Sequence, residues 1–228
     1  DALPISGAVL VSARQQPVVA DMAAERCLEV HARLVMAGPQ LHVISRETAV
    51  GGQLISVQTP AARYEDIPLG LRGDYQADNA ALALAAVEQF FDGSALDGLV
   101  VEHALMSVSS PGRLEVVRNS PTIIVDAAHN PHGAQATGRA LQEYFPGRLV
   151  GVVAMMADKD VEGFIGMLEP VLEEVVITAM PTSRAMPAEE LAEVAADVFG
   201  EDRVHLEEDL VRAIDLAAAR AESDDSAP

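Results

Sequence analysis

Cations, cysteine and tryptophan are scarce in this chain, and each scarcity removes a class of function. Its 228 residues carry 15 Lys plus Arg against 35 Asp plus Glu, a formal net charge of −20. A field of that sign repels a phosphate backbone, so nucleic acid is not an expected partner. Among the cations only Lys159 is a lysine, which makes it conspicuous. Cys27 is the sole cysteine. It excludes an internal disulfide and any cluster of thiolate metal ligands, and it fits a reducing compartment. Its place on the apolar side of a helical pattern predicts a packing role. The longest strongly apolar uncharged run, Leu149 to Ala157, falls far short of the roughly 20 residues that span a bilayer. No basic segment followed by an apolar one opens the sequence, so a cytoplasmic protein without a membrane partner is expected. Neither a Walker A sequence nor a GxGxxG is present.

What the chain does have is apolar substance, with 50% hydrophobic and 22% charged residues. That supports a real core in one large domain or two small ones. Gly7 to Ser12 reads as a strand and Pro17 to Met36 as one helix, with Val19, Met22, Cys27, Val30 and Leu34 at helical spacing. Leu41 to Ser45 and Gln53 to Thr59, separated by Gly51-Gly52, predict a β-hairpin or meander. Asp78 to Phe91 reads as an Ala-rich helix with Asp78 as its N-cap. Ser107 to Pro111 is the linker candidate, so the domains are placed at 1–109 and 110–220, with a disordered acidic tail over 221–228. After the linker, strands Thr122–Val125, Leu149–Ala154, Val175–Thr178 and Arg203–Leu206 alternate with helices Pro131–Phe145, Val161–Leu168, Ala188–Phe199 and Asp209–Arg220. Such alternation requires crossover helices and a parallel sheet. The fold class is therefore α/β, a part-domain with meander elements followed by a Rossmann-like, mostly parallel sheet.

Ligands of parallel sheets bind beyond the carboxyl ends of the strands. That rule selects Asp126, His129 and Asn130 after the first strand, Asp158, Lys159 and Asp160 after the second, and Arg184 after the third. Asn130 and Pro131 suit a helix cap and first turn. The Asp126 carboxylate can accept hydrogen bonds from a ribose diol, and the His129 imidazole can meet a nucleotide or phosphate. His132 reads as a solvated helix residue, and no further ligand stands at a spacing that would make a metal site of the two histidines. Arg113, beside the linker, is either a surface ion-pair member or a planar donor for an oligophosphate. Arg184 carries the same two readings, with a carboxylate partner as the functional one, and Asp158-Lys159-Asp160 reads either as part of a site or as a charged loop with Asp160 capping the next helix. Asn79, in the first turn of its helix, either caps that turn or meets phosphate oxygens.

Taken in order, GDYQADNAALALAA (Gly73 to Ala86), SPGRLEVV (Ser110 to Val117), DAAHNPHGA (Asp126 to Ala134), ADKD (Ala157 to Asp160) and the stretch ending in Ser183-Arg184-Ala185 resemble the dihydrofolate synthase/folylpolyglutamate synthase family. This is the folate branch of the Mur-type ATP-dependent amide ligases. The resemblance implies that ATP phosphorylates a pteroate or folate carboxylate and that L-glutamate then displaces phosphate to form an amide, with magnesium in support. It implies that Asn79 and Arg113 contact ATP phosphates, that Asp126 and His129 hold the nucleoside part, and that Asp158, Lys159 and Arg184 lie near glutamate or the domain cleft. The partners implied are ATP, L-glutamate and dihydropteroate or folate, and a monomer is favoured.

The family's GTNGKGS-type phosphate loop, its magnesium-binding carboxylate and histidine, its KAGI segment and its final Gly-Ser strand have no counterpart in these residues. The chain is thus expected to be a fragment of the central ATPase domain joined to a ligase domain, inactive alone, with magnesium ligands supplied from outside it. The rivals are another Mur-type ligase, of cell-wall or cyanophycin type, and a non-catalytic nucleotide-binding module.

Overall fold

In the computed structural model, which describes residues 4–222, the chain separates into two units, Asp1–Ser110 and Pro111–Pro228. The first opens with strand β1 (Val9–Ser12), helix α1 (Pro17–Glu29) and strand β2 (Arg33–Met36). β1 and β2 pair in parallel, from Val9 opposite Arg33 to Ser12 opposite Met36. The single helix expected from Pro17 to Met36 is therefore a helix and a strand. His31 turns into the left-handed region at φ 53°, and the Ala32 N–H returns to the Cys27 carbonyl at 2.8 Å. This closes the last turn and releases Arg33 into the sheet. Cys27 is buried as expected.

Strands β3 (His42–Ala49), β4 (Gly52–Gln58) and β5 (Arg63–Leu69) form the anticipated antiparallel meander. Val50 and Gly51 make the β3–β4 turn, with Gly51 at φ 84°. A Cβ on Gly52 would lie 2.1 Å from the Leu69 carbonyl oxygen, so the crossing of these backbones needs glycine. Helix α2 (Asp74–Phe90) lays Ala77, Ala80, Ala81, Leu84 and Ala85 into one core with Ile55, Val57 and Ile67. Its small side chains allow close approach to the sheet. Glu88, also in this core, accepts hydrogen bonds from Thr59 Oγ1 at 2.5 Å and the Tyr64 hydroxyl at 2.9 Å. Burial pushes the Tyr64 hydroxyl up to about 12. Helix α3 (Gly98–Ser107), absent from the sequence reading, is capped by Asp97 and packs on β5.

α2 begins four residues earlier than its expected N-cap at Asp78. Gly73, at φ 96°, is the cap position. Buried Gln53 fixes this entry by donating from Nε2 to the Leu71 and Gly73 carbonyls, each at 2.9 Å.

The second unit starts with an antiparallel pair, β6 (Glu115–Asn119) and β7 (Thr122–Val125). It continues through α4 (Pro131–Tyr144), β8 (Val150–Val153), α5 (Val161–Leu168), β9 (Glu174–Ile177), α6 (Ala188–Phe199), β10 (Val204–Leu206) and α7 (Leu210–Glu222). β8, β9 and β10 form a parallel sheet in the order β10-β9-β8. Val153, Val175 and Ile177 pack with α5 and α6 on one face. Val150, Val152 and Val176 pack with α7 on the other. The Rossmann-like layering thus holds, with one correction: β7 joins β6 and has no ladder with β8, so three of the four expected strands form the parallel sheet. The expected tail also starts too early, because Ala221 and Glu222 belong to α7. The remainder, 223–228, lies outside the described residues.

At the amino ends of these strands Glu174 gathers Arg148, His205 and Arg220, with His205 Nε2 at 2.6 Å. Burial pushes its carboxyl upward, but the hydrogen bonds from Arg220 and His205 and the charges of Arg220 and Arg148 prevail and hold it below the usual range. A depressed folded pKa stabilises the fold above the unfolded value and ceases to do so as pH falls through the folded one. The urea midpoint of wild type should therefore drop between about pH 5 and pH 3, and Glu174→Gln should flatten that slope. Replacing Gln53 by Ala should cost about 1–3 kcal/mol in urea unfolding, because two buried carbonyls lose their donor.

Candidate nucleotide site at the strand ends

Residues following the carboxyl ends of β7, β8 and β9 build the rim of the second unit. Asn130 caps α4 by accepting the Gly133 N–H at 2.8 Å, and Pro131 takes the first helical position, both as the sequence predicts. Asp126, directly after β7, is engaged on both oxygens. Oδ1 accepts the Ala128 N–H and the Thr137 hydroxyl, each at 2.9 Å, and Oδ2 accepts the Leu114 N–H at 3.0 Å. A carboxylate offers about four lone-pair sites, and these bonds use three of them.

The Leu114 bond folds the Pro111–Leu114 loop onto the Asp126 loop, and a second staple runs from the Ala127 N–H to the Gly112 carbonyl at 2.8 Å. Leu114 accepts the left-handed conformation, φ 45°, to make this closure. Its side chain is buried, which holds the strained residue in place. Arg113 lies in the sequence between these anchors and is exposed. Nearby, His129 Nδ1 lies 3.0 Å from the Ala127 carbonyl. A carbonyl only accepts, so Nδ1 is the donor in this contact. Arg113, Asp126 and His129 are thus joined into one rim by backbone hydrogen bonds.

The second group comes from the β8 and β9 loops, stitched by Ala157 N–H to the Arg184 carbonyl at 3.0 Å and by the Met156–Ala185 bridge. Asp158 pairs with Lys159 Nζ at 3.3 Å and with Arg184 Nη2 at 3.3 Å. The Lys159 hydrogen bond, followed by the charges of Lys159 and Arg184, holds the Asp158 carboxyl below its usual range. Two cations on one carboxylate leave a net positive cluster in a strongly acidic chain, suited to a ligand carboxylate. Asp160 caps α5 through Gly163 N–H at 3.0 Å. A Cβ on Gly163 would lie 2.8 Å from the Pro131 ring, so the amino ends of α4 and α5 touch there and bring the two groups side by side.

Asn79 belongs to the first unit. It lies beyond the first turn of α2, because that helix starts at Asp74, and its Nδ2 donates to Gln76 Oε1 at 3.1 Å. The capping role considered for its turn falls to Gly73. His132 is an exposed residue of α4, as the sequence predicts. The sequence reading missed Thr137, whose signal is its helical spacing of three from buried Ala134 on the face toward Asp126. It also missed Leu114, whose backbone rather than side chain contacts Asp126. Among the described residues no helix is long and apolar enough to cross a membrane.

Layered helices about a parallel sheet, with Arg113, Lys159 and Arg184 in the loops at its strand ends, define a Rossmann-like unit. Fold and rim alone leave the chemistry open. Residues 112–227 match the family described as Mur ligase, glutamate ligase domain. Dihydrofolate synthase/folylpolyglutamate synthase of Mycobacterium tuberculosis is 43% identical over 92% of this chain and 44% of its own length. The Escherichia coli protein of that name is 32% identical over 71% of this chain and 36% of its own. A structure of Mycobacterium tuberculosis folylpolyglutamate synthase complexed with ADP superimposes with a TM-score of 0.90, covering 93% of this chain and 47% of that one at 43% identity. The chain belongs to the Mur ligases, by their glutamate ligase domain, and is similar to their dihydrofolate synthase/folylpolyglutamate synthase members. It spans less than half the length of these relatives.

Asp126→Ala should cost about 3 kcal/mol in urea unfolding, since a charged acceptor of three donors is removed. Thr137→Val should cost about 1 kcal/mol and leave the Leu114 staple intact, which amide exchange at Leu114 would report.

Proposed function

We propose that these residues form part of an ATP-dependent ligase that joins L-glutamate to dihydropteroate or to the glutamate tail of a folate. The γ-phosphoryl group passes to the acceptor carboxylate and ADP departs. The glutamate amine then attacks the acyl carbon and phosphate leaves. The observation that carries this reading is the stapling of the loop that bears Arg113 onto the Asp126–His129 loop at one strand end. Arg113 meets the phosphates of ATP, and His129 receives a hydrogen bond from the nucleoside part. Asp126 orders both loops and offers its remaining lone pair to a ribose hydroxyl. Asn79 keeps the phosphate role implied by its motif, with one Nδ2 proton already committed to Gln76. Lys159 and Arg184, balanced by Asp158, take a carboxylate of glutamate.

Magnesium is implied by the family. Among the described residues no group of three or more His, Cys, Asp or Glu could hold a metal ion. These side chains do not by themselves fit the metal, and its ligands are assigned to residues outside this chain.

The ADP in the Mycobacterium tuberculosis relative and the DHPP and ADP in the Escherichia coli FolC structure, 26% identical with a TM-score of 0.73, support the substrate classes. A cell-wall ligase of Aquifex aeolicus, UDP-N-acetylmuramoyl-L-alanyl-D-glutamate--2,6-diaminopimelate ligase, is 27% identical over 90% of the chain, so the acceptor must be decided by activity. The full-length gene product, given ATP and glutamate, should form an amide on dihydropteroate or folate. Amide formation on a cell-wall precursor alone would overturn the folate assignment. In that protein Arg113→Ala should lower kcat by about 10²-fold, as expected for a lost donor to developing charge. The 228 residues alone lack a Gly-rich phosphate loop and should show no turnover with the same substrates.

A further inference from the structure

Arg113 is held by its backbone. The Gly112 carbonyl, part of the peptide that precedes it, accepts the Ala127 N–H at 2.8 Å. The Leu114 N–H, part of the peptide that follows it, donates to Asp126 Oδ2 at 3.0 Å. Both peptides flanking the arginine are therefore pinned to the loop after β7. A third bond holds the entry to this turn: the Gly112 N–H donates to Glu115 Oε2 at 2.8 Å. Gly112 at φ 70° and Leu114 at φ 45° bend the chain on either side of Arg113. The place of the arginine is thus set by a turn and three bonds, not by a strand or a helix.

Glu115 is the first residue of β6, stands opposite Val125 in the antiparallel ladder and is exposed. Asp126 follows Val125 directly. The open end of the β6–β7 pair therefore carries two carboxylates, and both accept from the backbone of the Arg113 loop. On charge alone, an exposed carboxylate two residues from an arginine that meets phosphate is unfavourable, since it repels the anion and attracts the guanidinium. A charge-assisted bond to a main-chain N–H gives that carboxylate a different task, which is to tighten the turn. Resting on the assignment of Arg113 to the phosphates of ATP, we infer that Glu115 is a positioning residue for the ligase reaction. It touches no reacting group. It fixes Gly112, and through Gly112 the backbone of Arg113, so that the guanidinium is already in place when charge develops on the transferred phosphoryl group. Because the bond is exposed, its loss acts locally and leaves global stability nearly unchanged.

The test uses the full-length gene product with ATP, glutamate and its acceptor. Glu115→Ala should lower kcat on the order of tenfold at an unchanged KM for glutamate, a smaller loss than in Arg113→Ala because the donor is displaced rather than removed. Glu115→Gln keeps a side-chain oxygen that accepts from Gly112 and should stay within about twofold of wild type. Added to Arg113→Ala, Glu115→Ala should cost nothing further, because the two residues act through one guanidinium. Amide exchange at Gly112 should quicken several-fold in Glu115→Ala, with the urea midpoint unchanged. Wild-type kcat in Glu115→Ala, while Arg113→Ala loses activity, would overturn the positioning role and leave the phosphate assignment standing. Full activity in Arg113→Ala would overturn both. Equal loss in Glu115→Gln would assign Glu115 to charge, and a further loss in the Arg113→Ala background or a fall in urea midpoint that accounts for the lost activity would assign it to stability; each overturns the positioning role.

Discussion

The arrangement of the candidate site depends on the Asp126 carboxylate. Its three donors come from three stretches of chain: Leu114 before β6, Ala128 in the loop it begins, and Thr137 inside α4. Charge-assisted bonds of this kind are stronger than neutral ones, so one side chain fixes a loop, a turn and a helix against each other. The left-handed backbone of Leu114 is tolerated because its side chain is buried and its N–H is bonded. Arg113 and His129 owe their nearness in the fold to this arrangement, to which His129 adds its own bond with the Ala127 carbonyl.

The sheet of the second unit divides stability from function along its length. At the amino ends Glu174 ties β8, β9, β10 and α7 through Arg148, His205 and Arg220. Close by, Arg203 donates to the Glu173 and Leu172 carbonyls and to Glu169 while stacking over Phe199. These cations are consumed by the fold. At the carboxyl ends Arg113 and Arg184 are exposed and Lys159 is partly so, while the connecting loops are held largely by backbone bonds. In a chain with so few cations, this separation is what makes a positive site affordable.

Sequence reasoning reached the elements whose signals are local. Asn130-Pro131 and Asp160 marked the starts of α4 and α5, and the Ala-rich pattern of α2 revealed its buried face. It failed where a distant partner decides. Arg33 to Met36 continues a helical spacing, yet pairing with β1 makes it a strand. Asp78 looks like a cap, but Gln53, twenty residues upstream of Gly73, sets the start of α2. The strand β6 was hidden in a motif read for its arginine. For the site, strand-end logic identified Asp126, His129, Asp158, Lys159 and Arg184. It could not see that Asp126 spends most of its hydrogen-bonding capacity internally, because Leu114 and Thr137 are brought to it only by the tertiary fold.

Lys159 gives this protein an unusual chemical handle. It is the only lysine in the sequence, its side chain is 34% exposed, and it stands in the loop that pairs with Asp158 and Arg184. An amine-directed fluorophore or crosslinker therefore has one side-chain target in the whole chain, and that target sits on the rim itself. Occupancy of the rim can be followed optically without introducing a cysteine or altering a single codon.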